Sequence, residues 1–264
     1  MALLEIEGLG KTYGEGEGAT HAIGDISFEL GEREFVCVVG PSGCGKTTLL
    51  KCMSGLLEPT QGEVRLRGEP VDGPPESMAL VFQEYSRSLL PWLSVRGNVV
   101  LPLKHKKLEK AELSRLVEEA VDAVGLTRFI DRYPWELSGG MQQRVAIARA
   151  LAYQPEILLM DEPFASVDAQ TRGDLEDLIL QVRDRYEMTI LFVTHDIDES
   201  VYLSDRIVVL SPAPTEVREI LDVGLPQPRD QVATKELQDF AQLRAHVYRA
   251  IKRPDAPAAQ PAPA

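Results

Sequence analysis

Apolar and polar positions along the chain change period several times, and each change predicts an element. Near the N-terminus, LLEIEGL and HAIGDISFEL alternate over short distances between turns containing Gly and Asp. Two strands are therefore expected in roughly the first 35 residues. EFVCVVG (34–40) is an unbroken apolar run, the pattern of a parallel strand buried on both faces. KTTLLKCMSGL continues it as a helix, with Gly55 as the stop. GEVRLRG (62–68) alternates like a half-exposed strand, and SMALVFQ (77–83) reads as a strand ending at Gln83. From about residue 84 to 150 the spacing turns helical. In 109–124, Leu113, Leu116, Val117, Ala120, Val121 and Val124 share one face, and Gly125 is the expected C-terminal cap.

The strand pattern resumes in EILLMDEP (156–163), MTILFVTHD (188–196) and RIVVLS (206–211), with DAQTR opening a helix after the first of them. Strands alternating with helices imply a parallel sheet covered on both faces. Past a proline-containing link, KELQDFAQLRAHVYRAIKR (235–253) predicts a last helix, and RPDAPAAQPAPA has the composition of a disordered tail. GEGEG (14–18) neither follows a long buried strand nor opens a helix, so it is expected to be a loop. The pattern describes an α/β core interrupted by a helical insertion, with a β-rich N-terminal flank.

Composition narrows the function. The 264 residues suffice for a sizeable core, and the net charge of −13 argues against a general nucleic-acid binder. Cys37, Cys44 and Cys52 have neither zinc-site spacing nor an even count, so reduced thiols in a cytoplasmic setting are expected. The opening MALLEIEGLGKTYG lacks the pattern of a signal peptide, and no apolar run is long enough to span a membrane.

Two phosphate-binding designs stand out. GPSGCGKT (40–47) satisfies G-x-x-x-x-G-K-[ST] between a predicted strand and a predicted helix. Its glycines let backbone N–H groups surround phosphates, Lys46 reaches the β- and γ-phosphates, and the Thr47 hydroxyl suits Mg²⁺. The second is LSGGMQQR (137–144), where Ser138, Gly139 and Gly140 sit at the mouth of a predicted helix. ILLMDEP adds adjacent carboxylates: Asp161 suits a Mg²⁺ shell, and Glu162 suits a general base for an attacking water.

In this order, Tyr13, GPSGCGKTT, Gln83, LSGGMQQR, LLMDEP, Asp168 and His195 resemble the ATP-binding subunits of ABC transporters over roughly residues 3–225. The resemblance implies a P-loop NTPase core with an N-terminal antiparallel β-subdomain and an inserted α-helical subdomain. It implies an ATPase domain at 1–230 with the insertion at about 84–150, a helical extension at 231–253 and a tail at 254–264. ATP and Mg²⁺ are the implied cofactors, held by Tyr13 on the adenine and by Gly40, Pro41, Ser42, Gly43, Cys44, Gly45, Lys46, Thr47 and Thr48 on the phosphates. Thr47, Gln83 and Asp161 would serve the metal, and Glu162, His195, Lys46 and Gln83 the hydrolysis. The two phosphate designs then have separate tasks. In this family two subunits pair head to tail, so Ser138, Gly139 and Gly140 would close on the γ-phosphate held by a second copy. Asp168, which by position can cap the following helix, would reach across the same pair.

The resemblance extends to partners: permease subunits in the membrane, indirectly a solute-binding protein, and no nucleic acid. It implies a peripheral location on the cytoplasmic face. Leu89, Leu90, Pro91 and Trp92 form either an exposed docking patch for the permease or a packed part of the insertion. LLPWLSVRGNV and the C-terminal helix resemble the nitrate/sulfonate/taurine-type importers, implying a small oxyanion or related organic solute. Two departures stand out: Met141 replaces the commoner glutamine, and FASVD replaces SALD or GALD. Competing readings are a non-transport ABC ATPase of DNA repair or translation, and a regulatory subunit that no longer hydrolyses ATP. The first usually carries two cassettes or a long coiled coil; Glu162 and His195 argue against the second.

Overall fold

The computed structural model describes residues 2–84 and 88–252, so Tyr85, Ser86, Arg87 and the expected disordered tail lie outside the described residues. In chain order the first elements are β1 (Ala2–Tyr13), β2 (Thr20–Gly31), β3 (Phe35–Val39), α1 (Lys46–Met53), β4 (Gln61–Leu66), β5 (Glu69–Pro70) and β6 (Met78–Val81). Next come α2 (Val95–Val100), α3 (Lys110–Ala123), α4 (Gly139–Ala152), β7 (Ile157–Asp161) and α5 (Ala169–Tyr186). The chain ends with β8 (Thr189–Val193), α6 (Ile197–Leu203), β9 (Arg206–Leu210), β10 (Thr215–Asp222) and α7 (Gln238–Lys252). It forms two compact units, residues 1–74 with 191–264, and residues 75–190.

In the first unit the strands run in the order β5-β4-β1-β2-β10-β9-β3-β8. The flank is antiparallel, β1 pairing with both β2 and β4. Its strands bury one face: Ile26, Phe28 and Leu30 are inside while Ser27 and Glu29 are exposed. In contrast, β3 runs parallel to β9 and is buried along its whole length. Only an apolar run can occupy such a place, because a polar side chain there would lose its water without a replacement. Helix α1 stops at Ser54, followed by Gly55 in the left-handed region at φ 69°, as its position in the sequence implies. The GEGEG segment is a loop containing a single 3-10 turn, Gly16–Gly18.

In the second unit β6 and β7 pair in parallel, Val81 opposite Met160. Strand β6 is shorter than its apolar run suggests. It ends at Val81, so Phe82 and Gln83 project beyond it and are exposed. Helix α3 buries Leu116, Val117, Ala120 and Val121 as expected, with Leu113 only half-buried at its edge. Helix α7, in the first unit, starts at Gln238 rather than 235. Asp230 Oδ1 accepts from the N–H groups of Val232 and Ala233 and Thr234 Oγ1 accepts from Asp230 N, which winds the approach into turns.

Candidate active site

The loop between β3 and α1 is built by backbone geometry. Gly43 and Gly45 adopt φ of 77° and 97°, where a side chain would be strained. A Cβ on Gly40 would meet Cys44 Sγ and Leu210 Cβ at 3.0 Å, so the loop has no room for one. Cys44 N donates to the Pro41 carbonyl at 3.2 Å, and the Thr215 hydroxyl donates to the Cys44 carbonyl. Lys46 is 6% exposed and lies across the loop, its ammonium donating to the carbonyls of Gly40 (3.0 Å) and Pro41 (3.1 Å). Those two bonds satisfy a buried charge that would otherwise be costly, and they hold it at the rim of the loop. Ser42 and Thr47 are exposed, Pro41 and Thr48 half-buried.

Two further candidates lie in the same unit. Tyr13, at the end of β1 and 43% exposed, shares a hydrogen bond of 3.2 Å between its hydroxyl and that of Thr48 in the first turn of α1. An exposed ring is thereby tethered beside the loop. His195 follows β8 on a turn fixed from several sides. Thr194 N donates to the Val38 carbonyl at 3.1 Å, the Thr194 hydroxyl donates to Glu199 at 2.6 Å, and Asp196 Oδ1 caps α6 by accepting from Asp198 N and Glu199 N. The backbone bond to β3 sets the exposed imidazole near the start of the phosphate loop. A groove of about 700 Å³ beside His195 is walled by α7, which the Arg244–Asp198 ion pair (2.8 Å) ties to α6.

In the second unit Asp161 is buried at the end of β7 and Glu162 stands just beyond it. Gln83 Nε2 donates to Glu162 Oε2 at 3.2 Å. Glu162 holds φ at 42°, a left-handed conformation that costs a non-glycine residue on the order of 1–3 kcal/mol. At Ser138 the side chain caps α4, accepting from Met141 N at 3.3 Å, and Gly139 and Gly140 form the first turn. Asp168 caps α5 in the same way, accepting from Thr171 N at 3.0 Å and from the Thr171 hydroxyl at 2.7 Å. The Thr171 hydrogen bonds hold the Asp168 carboxyl below the ordinary aspartate value. In the variant FASVD loop Val167 is buried and Ser166 exposed, while Asp168 keeps the cap.

An ABC transporter family model matches residues 23–165. The chain belongs to the ABC transporter ATP-binding family. An uncharacterised ABC transporter ATP-binding protein of Methanocaldococcus jannaschii is 47% identical over 249 residues, spanning 94% of this chain and 91% of the relative. The nitrate import ATP-binding protein of Synechococcus elongatus is 42% identical over 244 residues, spanning 91% of this chain and 88% of that one. A dimeric ATP-binding cassette solved in a post-hydrolysis state with ADP and Pi superposes with a TM-score of 0.72 at 32% identity, covering 83% of this chain and 98% of the other. The chain is thus an ABC ATPase, with the fold its motifs imply.

Each residue expected to serve Mg²⁺ in this ABC ATPase is an oxygen donor of the type a hard cation takes. Thr47 in the first unit offers a hydroxyl, and in the second unit Asp161 offers a carboxylate and Gln83, whose nitrogen is engaged by Glu162, a carbonyl oxygen. Among the described residues no cluster of three or more His, Cys, Asp or Glu could hold a metal ion. Nor is any described helix long and apolar enough to cross a membrane. The two readings of the Leu89–Trp92 patch divide between its residues: Leu89 is 3% exposed, whereas Trp92 is 69% exposed. Arg149 in α4 holds this loop through Ser88, donating to its carbonyl at 2.6 Å and its hydroxyl at 2.7 Å. The other histidines stand apart from these groups: His21 bonds Thr12, His105 lies by Tyr153, and His246 bonds Glu219.

Motif order missed Thr194, Thr215 and Thr171. Thr171 was within reach of sequence reading, since it stands three residues after the expected N-cap Asp168, where a cap's side chain accepts from the backbone N–H. Thr215 was not, as it reaches the loop only through the fold.

Proposed function

We propose that this chain is the ATP-hydrolysing subunit of an importer, working as a pair with a second copy and docked on permease subunits at the cytoplasmic face of a membrane. ATP lies with its phosphates in Gly40–Thr48 and its adenine on Tyr13, while Ser138, Gly139 and Gly140 of the second copy close on the γ-phosphate. Lys46 exchanges the Gly40 and Pro41 carbonyls for phosphate oxygens, trading neutral acceptors for charged ones. Glu162 takes a proton from water as the water oxygen bonds to the γ-phosphorus and the β–γ bridge breaks, leaving ADP and inorganic phosphate. His195 donates to the γ-phosphate, and Asp168 reaches towards the partner copy. Thr47, Gln83 and Asp161 would hold Mg²⁺, which when bound neutralises charge on the β- and γ-phosphate oxygens.

The observation that carries this reading is the Gln83–Glu162 hydrogen bond. It joins the residue positioned as base to the start of the loop that presents Trp92, so contact with a permease there can be felt at the reacting water. The 1–230 segment forms the ATPase domain, with the inserted helices receiving the permease and 231–253 an extension. A small oxyanion or related organic solute, delivered by a separate binding protein, suits the likeness to a nitrate import subunit.

Affinity purification of the tagged chain from detergent-solubilised membranes, with mass spectrometry of co-eluting proteins, tests the reading. A polytopic membrane protein is expected, with ATP hydrolysis stimulated in the reconstituted complex. Recovery of soluble partners or nucleic acid alone, while known membrane complexes survive the procedure, would overturn the importer assignment.

A further inference from the structure

The first turns of α4 and α5 approach each other at Gly140 and Thr171. A Cβ placed on Gly140 would meet Thr171 Cγ2 at 2.3 Å, far inside contact distance, so the threonine methyl occupies the space beside that glycine. A threonine can ordinarily swing its methyl away by rotating χ1. Here it is held, because the Thr171 hydroxyl donates to Asp168 Oδ2 at 2.7 Å and its N–H donates to Asp168 Oδ1 at 3.0 Å. Thr171 thus has its methyl against Gly140 and its hydroxyl on Asp168. Displacing the methyl breaks the hydroxyl bond, and moving Asp168 releases the methyl.

We propose that Thr171 is a positioning residue that joins the Ser138–Gly140 turn and Asp168 into one element, so that both engage the second copy of the chain together. This rests on the reading in which Ser138–Gly140 and Asp168 face that copy. It also gives Gly140 its reason to lack a side chain: the space a Cβ would fill is taken by Thr171.

The test uses full-length protein in a Glu162→Gln background, with ATP-driven dimerisation followed by sedimentation velocity. Thr171→Val keeps the methyl and loses the hydroxyl. It is expected to weaken ATP-driven dimerisation by about tenfold or more, the worth of one hydrogen bond to a carboxylate. Gly140→Ala is expected to do the same by pushing Thr171 off Asp168. Adding Thr171→Ser to Gly140→Ala makes room for the new methyl while keeping the hydroxyl, and should bring dimerisation back to within about threefold of the parent. Affinity of the monomer for a fluorescent ATP analogue should stay unchanged throughout, which loss of helix stability alone would not secure alongside a lost dimer.

A Thr171→Val protein that dimerises like its parent overturns the proposal. So does a double variant no better than Gly140→Ala, since the alanine would then act on the phosphate directly. If Gly140→Ala does not fold, Thr171→Val decides. Failure of the Glu162→Gln parent to dimerise with ATP would instead overturn the underlying head-to-tail reading.

Discussion

Gln83 donates its side-chain amide to the Glu162 carboxylate across 3.2 Å, although 79 residues separate them in the chain. The parallel pairing of β6 and β7, Val81 opposite Met160, brings each residue two positions beyond its strand partner. Glu162 thereby gains a hydrogen-bond donor that fixes the orientation of its carboxylate.

Glu162→Gln removes the proton acceptor but keeps the size of the side chain. ATP binding should persist while turnover falls by about 10²–10⁴-fold, the usual worth of a general base. Single-turnover hydrolysis and equilibrium binding measured on one preparation check this. Undiminished turnover would remove Glu162 from the role of base.

Lys46→Ala deletes the ammonium that lies on the Gly40 and Pro41 carbonyls. The dissociation constant for ATP should rise by roughly 10–100-fold, as expected for losing a charge-assisted contact to phosphate. Calorimetric titration reads the change. An unaltered affinity would mean that Lys46 stays on the carbonyls when nucleotide is bound.

Acid should loosen the caps that organise the site. Hydrogen bonds from Thr171 hold Asp168 below its ordinary value of 3.8, and those from Tyr133 N and then Arg132 hold Glu136 below 4.5. A depressed carboxyl stabilises the fold above its unfolded pKa and loses that contribution as pH falls through the folded one. The stabilisation is therefore complete above about pH 5 and declines below about pH 4. Thermal melts of an Asp168→Asn/Glu136→Gln double variant should show a shallower acid decline than the parent. Parallel curves would exclude these two carboxylates as its source.

The three cysteines are buried and form no disulfide, and burial pushes the Cys52 thiol up to about 11. A thiolate is the reactive form, so thiol reagents near neutral pH should label the native protein slowly and the unfolded protein at three sites. Mass spectrometry of maleimide-treated samples, with and without denaturant, measures both. Fast native labelling at Cys44 would show that the phosphate loop opens readily.

Much of this protein was legible in the residues themselves because the physics involved is local. Buried strands announce themselves as apolar runs. Gly43 and Gly45 are required where the backbone turns left-handed, and Ser138 and Asp168 cap the helices that follow them. The order of such motifs was enough to name a family. The sequence left open what depends on pairing between distant segments. That Gln83 meets Glu162 depends on strand register; that Thr171 lies under Gly140 depends on how two helix starts pack. Leu89 turns inward while Trp92 stays in solvent because Asn98 accepts from Leu90 N and donates to the carbonyls of Leu90, Leu93 and Ser94, winding the loop on itself. Spacing along a chain encodes which face of an element is apolar, but it carries no direct record of which distant neighbour that face will find. Tertiary structure alone decided those meetings, because register and packing are settled by the summed burial and hydrogen bonding of whole elements.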